Sequence, residues 1–403
     1  MKTARWWAAL GCVWCVAAGN ALASDWHVAT NGNNAAAGTN WVTAKLTIQA
    51  AVDLAVAGDT VWVSNGVYSG TGNRGITFRG KGIAVRGLHG PSNTVVDCQH
   101  NGRGFVFDSS ETSASVLSGF TIQNGHAVNG GGISCSSRPT IEDCVIFSNQ
   151  VLTTSGAPYS RSGAGIYVGG AGANPTIRNC RILFNDADRI APVPGVSANG
   201  GGIAVMAGAA ALIEACEVTG NRVMYGGGGI YIEGPGVTVR NCLIQSNESA
   251  DWGGGVHCQN NSTTAVSRLV NCVIKGNTSL DVGGGVATYS GLVVENCTLY
   301  GNYGWRGGGI WAWPGARPQF LNSIVWSNTA GWAGPQFYGG DSNGVFSCCC
   351  SETETPWPGT GNIANDPRFV AAPAGDFHLG AGSPCIDSGN SGHVRETTDM
   401  DGN

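Results

Sequence analysis

Charged side chains are scarce in this sequence. It has 21 Lys and Arg and 26 Asp and Glu among 403 residues, and its formal net charge is -5. No basic stripe is present that could release counterions from a phosphate backbone, so we expect no nucleic-acid partner. The mature sequence also lacks an apolar run of about 20 residues, the length that crosses a bilayer as a helix. We therefore expect no transmembrane span in the mature chain.

Glycine, in contrast, is abundant. The chain has 65 Gly, and 42% of its residues are hydrophobic. The glycines imply many backbone positions with positive φ or without room for a side chain, and the hydrophobic residues can supply a core. These numbers predict a folded protein that is dense in turns.

The first 23 residues have the organisation of an export signal. Lys2 and Arg5 precede an apolar run, and Ala21-Leu22-Ala23 provides a small-x-small cleavage site. The run is short and is interrupted by Gly19 and Asn20, which argues against a membrane anchor. We expect residues 1–23 to be a signal peptide and the protein to be extracellular or at the cell surface.

A cysteine followed five residues later by an asparagine recurs along the chain, and a glycine cluster precedes each copy. Successive copies are 25 to 36 residues apart, so a unit of about 25 residues carries occasional insertions, which is typical of a solenoid. The pairs are Cys144/Asn149, Cys180/Asn185, Cys216/Asn221, Cys242/Asn247, Cys272/Asn277, Cys297/Asn302 and the substituted copy Ser323/Asn328, with Gly119/Asn124 before them.

The apolar residues within one unit alternate, as in a strand. Ile230 and Ile232 are followed by Val237 and Val239 and then by Cys242 and Ile244. Three short strands without an intervening helix cannot build a doubly wound sheet. Pairing each strand with its counterpart one unit later satisfies the backbone hydrogen bonds instead, with coils about 4.8 Å apart. The pattern predicts an all-β fold, a single-stranded parallel β-helix.

In such a fold the cysteines are expected to face inward as small hydrophobic residues. The asparagines are expected to lie at a bend in the left-handed region, where their amides can bond to neighbours up and down the stack. The cysteines lack the C-x-x-C type of spacing of metal ligands. The separation of stacked neighbours, about 4.8 Å, also exceeds the usual Cβ separation in a disulfide, about 3.8 Å. We therefore expect the cysteines of this column to be mostly reduced. Cys348, Cys349, Cys350 and Cys385 lie outside the repeats and are better candidates for bridging, with the pairing left open.

The ends and insertions complete the organisation. Apolar residues between Thr47 and Ala57 recur at helical spacing and Gly58 follows, which predicts a helix that caps the first coil. We expect cap and first coils over 24–110, glycine-rich coils over 111–340 and a tail over 341–403. Two long insertions, Gln150 to Ser162 and Asp186 to Asn199, are expected to extend one repeated corner, where they could border a groove.

The opening, the repeats and the tail each carry a resemblance to known families. "TIQAAVDLAVAGDTVWVSNGVY" resembles the opening of exported bacterial pectin-lyase-like proteins, and the GGG-I/V and I-x-x-N units resemble the repeats of chlamydial polymorphic outer membrane proteins. The tail stretches "NDPRFV", "GSPCIDSGN" and "DMDGN" are similar to those of large surface-targeted β-helix proteins. The resemblance implies a right-handed β-helix, and a sorting or anchoring segment after Asn403. The chlamydial repeat favours Phe where this chain has Ile146, Ile182, Val218, Ile244, Ile274, Leu299 and Val325.

Two columns of outward side chains are candidates for binding. If Ile230 and Ile232 point inward, Tyr231 and Glu233 point outward, and the same register exposes His257, Tyr289, Trp311 and Trp313 in later coils. Aromatic faces suit sugar rings, and proteins that resemble this fold often carry a polysaccharide groove on the matching sheet. Simple decoration of an exposed strand is the alternative.

Asp251 and Asp281 are the candidates for chemistry. Each precedes its glycine cluster by two residues, so the two are expected to stack about 5 Å apart. Such a pair could serve a retaining glycosidase or hold Ca²⁺, with His257 as a nearby proton carrier. Isolated aspartates are nevertheless common in turns. The calcium-binding aspartate cluster of pectate lyases and the signatures of polygalacturonases are missing.

Two hypotheses follow. The first is an exported, monomeric, non-catalytic scaffold or adhesin that binds a polysaccharide, a surface glycan or a protein along Tyr231, Glu233, Tyr289, Trp311 and Trp313. The second is a polysaccharide lyase or glycoside hydrolase that uses Asp251, Asp281 and His257. Neither needs a cofactor, although Asp399 and Asp401 could begin a Ca²⁺ loop.

Overall fold

The structure is a computed structural model that describes residues 23–151, 160–187, 197–260, 265–339, 344–394, 398 and 400. The predicted signal peptide therefore lies almost wholly outside the described residues. The same is true of Asp399 and Asp401, and of the central parts of both predicted insertions. Among the described residues, no helix combines the length and the apolar character needed to cross a membrane.

The chain winds into coils whose strands pair in parallel with their counterparts one coil later. Leu243 aligns with Val273 and Ile244 with Ile274, and the same register continues along the repeats. The predicted parallel β-helix is confirmed. Each repeat contributes four strands, one more than the sequence predicts, because the two residues after the asparagine bend also pair between coils.

Four parallel sheets line the solenoid, named here sheets 1 to 4 in chain order around one coil. Sheet 1 contains Asp25–Val28, Thr60–Val63, Ala84–Gly87, Val116–Ser118, Thr140–Glu142, Thr176–Arg178, Leu212–Glu214, Thr238–Arg240, Ser267–Val270, Leu292–Glu295, Gln319–Leu321 and Val345–Ser347. Sheet 2 contains Gly66–Ser69, Thr94–Asp97, Thr121–Gln123, Val145–Phe147, Arg181–Leu183, Glu217–Thr219, Leu243–Gln245, Val273–Lys275, Thr298–Tyr300, Ile324–Trp326 and Cys350–Ser351.

The other two sheets flank the corner that precedes each glycine cluster. Sheet 3 contains His126–Ala127, Gln150–Val151, Asp186–Ala187, Arg222–Val223, Glu248–Ser249, Thr278–Val282, Tyr303–Arg306 and Thr329–Ala333. Sheet 4 contains Ile76–Thr77, Phe105–Phe107, Ile133–Cys135, Ile166–Val168, Ile203–Val205, Ile230–Ile232, Val256–Cys258, Val286–Thr288, Ile310–Ala312 and Phe337–Tyr338.

Short elements lie outside the four sheets. The insertions form a parallel pair, Ser160–Ser162 with Ser197–Asn199. Near the C-terminus, Phe369–Ala371 and Asp376–Leu379 form an antiparallel pair whose Phe377 packs on Tyr300 at 5.2 Å between ring centroids. The 3₁₀ helices are Trp41–Thr43, Ala372–Ala374 and Ser391–His393.

The predicted capping helix is present as Ile48–Leu54. The Thr47 hydroxyl accepts a hydrogen bond from the Ala50 amide, and Ile48, Ala51 and Val52 are buried against the first coil. The helix ends earlier than predicted, because Ala55 is extended and Gly58 lies beyond the last turn.

The asparagines form a buried hydrogen-bonded ladder. Each side-chain amide donates to the amide oxygen of the next asparagine at 2.9 to 3.0 Å, and also to a carbonyl of the preceding coil. The ladder ends where Asn328 donates to Gln336. In the ladder the left-handed residue is the one before the asparagine, such as Ser246, so the predicted φ was wrong for the ladder asparagines, whereas Asn124 has the predicted positive φ. The ladder's polar atoms are thereby paired inside the fold.

The repeated cysteines lie inside the solenoid as predicted, each at most 3% exposed. Two positions differ from prediction. Cys349, predicted to lie outside the repeats, continues this column after Ser323. In the copy before Cys144, the structure aligns Phe120 with Cys144 and Gly125 with Asn149. That copy is therefore shifted by one residue from the predicted Gly119/Asn124 pair, because Gly125 leaves no side chain from which to read the register.

Candidate functional site

Five outward residues occupy equivalent positions along the corner between sheets 3 and 4, with an irregular register on both sides of Trp305. The residue that follows each of them pairs with its counterpart in the next coil, in the order Gly226, Trp252, Val282, Arg306 and Ala333. We call these five the corner column: Tyr225, Asp251, Asp281, Trp305 and Trp332. The predicted stacking of Asp251 on Asp281 is confirmed, since the Val282 amide donates to the Asp251 carbonyl at 3.0 Å.

The two carboxyl groups of the corner column lie in different surroundings. Burial, together with the charge of Asp281, raises the pKa of Asp251. Asp281 instead faces the Arg306 guanidinium at 3.9 Å, with both side chains partly exposed. Asp251 is therefore more easily protonated than an ordinary aspartate, and Asp281 has a cation beside it.

Two tyrosine hydroxyl groups lie near the carboxylates. Burial raises the pKa of Tyr225, and the charge of Asp251 raises it further. Burial also raises the pKa of Tyr289, with added contributions from Tyr225, Asp251 and Asp281. Both tyrosines therefore keep their protons at neutral pH and can donate hydrogen bonds.

Two exposed tryptophans continue the corner column beyond the carboxylates. Trp305 is 45% exposed and Trp332 is 61% exposed. Trp305 lies against Gly331, where an added Cβ would be 2.3 Å from its ring. The Arg306 guanidinium lies 5.4 Å from the centre of the Trp332 ring, a cation–π distance. These contacts hold aromatic surface at the outside of the corner.

The column through Tyr231, His257 and Trp311 has the predicted outward register. The expectation that it is exposed was wrong, because Tyr231 is 2% exposed, His257 1% and Trp311 5%. Trp252 projects from the neighbouring corner and stacks on His257, with 6.0 Å between ring centroids and 19° between planes. The adjacent corner therefore covers this face of sheet 4.

A second aromatic layer completes what we call the aromatic cluster, which consists of Tyr231, Trp252, His257, Tyr289, Trp311 and Trp313. Tyr289 lies 4.7 Å from Trp252 and stacks on Trp313 at 4.7 Å with 25° between ring planes. Trp313 is 43% exposed, and Tyr289 and Glu233 are half-buried. Of the predicted binding residues, Trp313, Tyr289 and Glu233 thus reach the surface.

His257 occupies the base of the aromatic cluster. Neither ring nitrogen has a hydrogen-bond partner among the residues that the structure describes, and burial lowers the pKa of His257 to about 3. Its Nδ1 lies so close to Gly226 that a Cβ there would be 2.1 Å away. The structure places this predicted proton carrier beneath Trp252 and Tyr289, where a ligand at the surface cannot reach it.

The structure adds residues that the sequence reading missed. The sequence patterns did not identify Trp252, Trp305, Arg306 or Trp332 as candidates. Their signal was available, since each lies within two residues of a glycine cluster or of a position that pairs between coils. In the described part of the chain, no three His, Cys, Asp or Glu side chains converge to hold a metal ion.

One family model and two solved structures are similar to this chain. Residues 153–299 match the family model described as a right handed beta helix region, which confirms the predicted handedness. A solved pectate lyase, Pel9A, superposes with a TM-score of 0.58 at 16% identity, covering 95% of this chain and 96% of that one. A rhamnogalacturonan lyase superposes with a TM-score of 0.45 at 13% identity, covering 89% and 86%. No curated protein matches this chain.

Proposed function

We propose that this right-handed parallel β-helix, whose fold is that of pectin-lyase-like proteins, binds glycan chains along the corner column. In this proposal it acts as an exported, monomeric surface or extracellular scaffold, with the coils as a rigid spacer. Export rests on the sequence of residues 1–23. The observation that carries glycan binding is the continuity of Asp251 and Asp281 with the exposed Trp305 and Trp332.

The corner column combines two kinds of sugar contact. Exposed indole faces can pack against the apolar faces of sugar rings, and carboxylates accept hydrogen bonds from hydroxyl groups. Five residues at one per coil extend about 19 Å along the solenoid axis. A glycan could therefore lie parallel to the axis and contact several coils at once, with Trp313 on its sheet 4 side.

Retention on immobilised glycans tests the proposal. The panel comprises pectin, alginate, glycosaminoglycans, xylan and cellulose. We expect Trp305→Ala and Trp332→Ala each to weaken retention on the bound glycan about tenfold, which corresponds to about 1.4 kcal/mol of lost stacking. Trp41→Ala is the matched control, since Trp41 is 43% exposed and lies on the distant N-terminal 3₁₀ helix.

The same panel can reject the proposal. If wild type is retained by none of these glycans, or if Trp41→Ala weakens retention as much as Trp305→Ala does, the corner column is not a glycan site. The comparison requires variants that are soluble and folded. Because Trp305 and Trp332 are exposed, we expect their replacement to cost little stability.

A polysaccharide lyase or glycoside hydrolase is the second candidate, and the unequal surroundings of the two carboxyl groups favour it. Asp251, with its raised pKa, could donate a proton, while Asp281 lies beside the Arg306 guanidinium. One coil separates them by about 4.8 Å, near the separation of about 5 to 5.5 Å in retaining glycosidases. Because His257 is enclosed, this reading uses the two aspartates alone.

Product analysis separates the two candidates. Incubation with the same glycans, followed by sizing of the chains, should give shortened products only if the protein is an enzyme. Asp251→Asn and Asp281→Asn would then abolish shortening, whereas Asp25→Asn, at an exposed position on the first strand, would leave it intact. Retention without any shortening supports the non-catalytic proposal.

A further inference from the structure

The C-terminal segment returns to the last coil of the solenoid. The Ile363 amide donates to the Cys349 carbonyl at 2.8 Å, and the Ser351 amide donates to the Ile363 carbonyl at 3.1 Å. The Cys350 thiol donates to the Asn365 carbonyl at 3.1 Å. This parallel contact places the Cys350 side chain, which is 3% exposed, at the junction between solenoid and tail.

A second turn of the tail then folds over this junction. The Gly380 amide donates to the Arg368 carbonyl at 2.7 Å, and the Ser383 hydroxyl donates to the Pro367 carbonyl at 2.6 Å. The Ser383 oxygen also accepts from the Cys385 amide at 3.2 Å. As a result the Cys385 thiol comes back to interact with the Cys350 thiol, 35 positions earlier in the chain.

This pair differs from the other cysteines. Those of the repeats also interact thiol to thiol along their column, as Cys180 does with Cys216, but they lie enclosed in the solenoid core. Cys350 and Cys385 instead join two separate segments, and Cys385 is only half-buried. Contact with the Cys350 thiol and the Ser383 hydroxyl lowers the pKa of Cys385, which favours the nucleophilic thiolate.

We propose that Cys350 and Cys385 form a disulfide that fastens the tail to the last coil. The oxidant is an external disulfide, either a small molecule or a disulfide-exchange protein. The Cys385 thiolate attacks it and releases one thiol, and Cys350 then displaces the second from the mixed disulfide. The two protein thiols lose two protons and two electrons, and the external disulfide is reduced to two thiols. The bond closes a 35-residue loop and so restricts the unfolded tail.

Peptide mapping tests this bond directly. The purified chain is treated with oxidised glutathione, alkylated without reduction and digested with trypsin, which cleaves after Arg368 and so separates Cys350 from Cys385. We expect the peptide ending at Arg368 to be joined to the peptide beginning at Phe369, and reduction to separate them. Cys350→Ser and Cys385→Ser should each abolish the joined species.

Cys348→Ser is the matched control, because Cys348 lies two positions before Cys350 and its sulfur contacts the Ser347 hydroxyl instead. It should leave the joined peptides unchanged. The proposal is overturned if wild type yields both peptides with alkylated thiols, or if the joined species persists in Cys350→Ser. None of these outcomes depends on glycan binding, so the disulfide and the proposed function succeed or fail separately.

Discussion

Asn221 shows how much one side chain contributes to the solenoid. Its amide nitrogen donates to Asn247 at 2.9 Å and to the Ile182 carbonyl at 2.9 Å, while its oxygen accepts from both the backbone and the side chain of Asn185. All of these atoms are buried. The asparagine ladder therefore links every coil that it crosses, and the loss of one member leaves partners on both sides without a bond.

We expect Asn221→Ala to lower the free energy of unfolding by about 3 to 5 kcal/mol, because the buried donors of Asn185 lose their acceptor. Urea unfolding monitored by circular dichroism measures the change. Asn101→Ala is the control, since Asn101 is exposed, and it should shift the midpoint little. Equal midpoints for the two variants would contradict the importance of the ladder.

His257 predicts a dependence of stability on pH. Its pKa is about 3 in the folded state, against an ordinary value of 6.5, so the unfolded chain takes up a proton first as the pH falls. This destabilisation begins near pH 6.5, grows towards pH 3 and amounts to about 2 kcal/mol at pH 5. His257→Phe should remove that part of the pH dependence in thermal melts between pH 7 and pH 5.

The comparison for His257 is an exposed histidine. His89 lies at the surface and contacts the Asn65 side chain, so His89→Phe should leave the pH dependence of the wild type in place. If His257→Phe and wild type lose stability in parallel as the pH falls, His257 is not buried in the way the structure describes.

At the scale of one element, each strand contributes one or two inward side chains to a continuous core. Ile244 is fully buried between Val218 and Ile274 of the neighbouring coils, whereas Gln245 on the same strand is only half-buried. Because coils contact mainly their neighbours, damage at one strand is expected to remain local at first.

We expect Ile244→Asp to destabilise the coils around residues 217–275 by several kcal/mol, since it introduces an unpaired buried charge. Hydrogen exchange measures this effect coil by coil. Gln245→Asp is the control and should leave exchange in those coils close to that of wild type. Uniform exchange across the whole chain in Ile244→Asp would argue instead for a single cooperative unit.

At the scale of the whole molecule, the open ends of the solenoid need cover. The helix Ile48–Leu54 covers the first coil. Within it, Val52 is fully buried on the side that faces the coil, while Leu54 is 45% exposed. An uncovered end exposes core side chains and unpaired strand edges to other copies of the chain.

We expect Val52→Asp to loosen this helix and to cause self-association, which size-exclusion chromatography with light scattering detects as a shift to higher mass. Leu54→Asp lies on the same short helix and adds the same charge at an exposed position, so it should elute like wild type. A monomeric, stable Val52→Asp would show that the helix is dispensable as a cap.

The sequence alone was sufficient for the solenoid, the inward cysteines and the asparagine ladder. A repeat makes equivalent residues coincide, so the spacing of Cys242 and Asn247 and their recurrence dictate the stacking. The same reasoning predicted that Asp251 would stack on Asp281, because each precedes the glycine cluster of its own repeat by two residues.

Only the tertiary structure decided which outward side chains meet solvent. Strand alternation determines that His257 and Trp311 point outward, but their burial depends on Trp252 crossing from the next corner of the coil. The direction of that crossing depends on how the chain bends between sheets 3 and 4, which alternation within a strand does not encode. The return of Cys385 to Cys350 is likewise set by contacts between segments far apart in the chain.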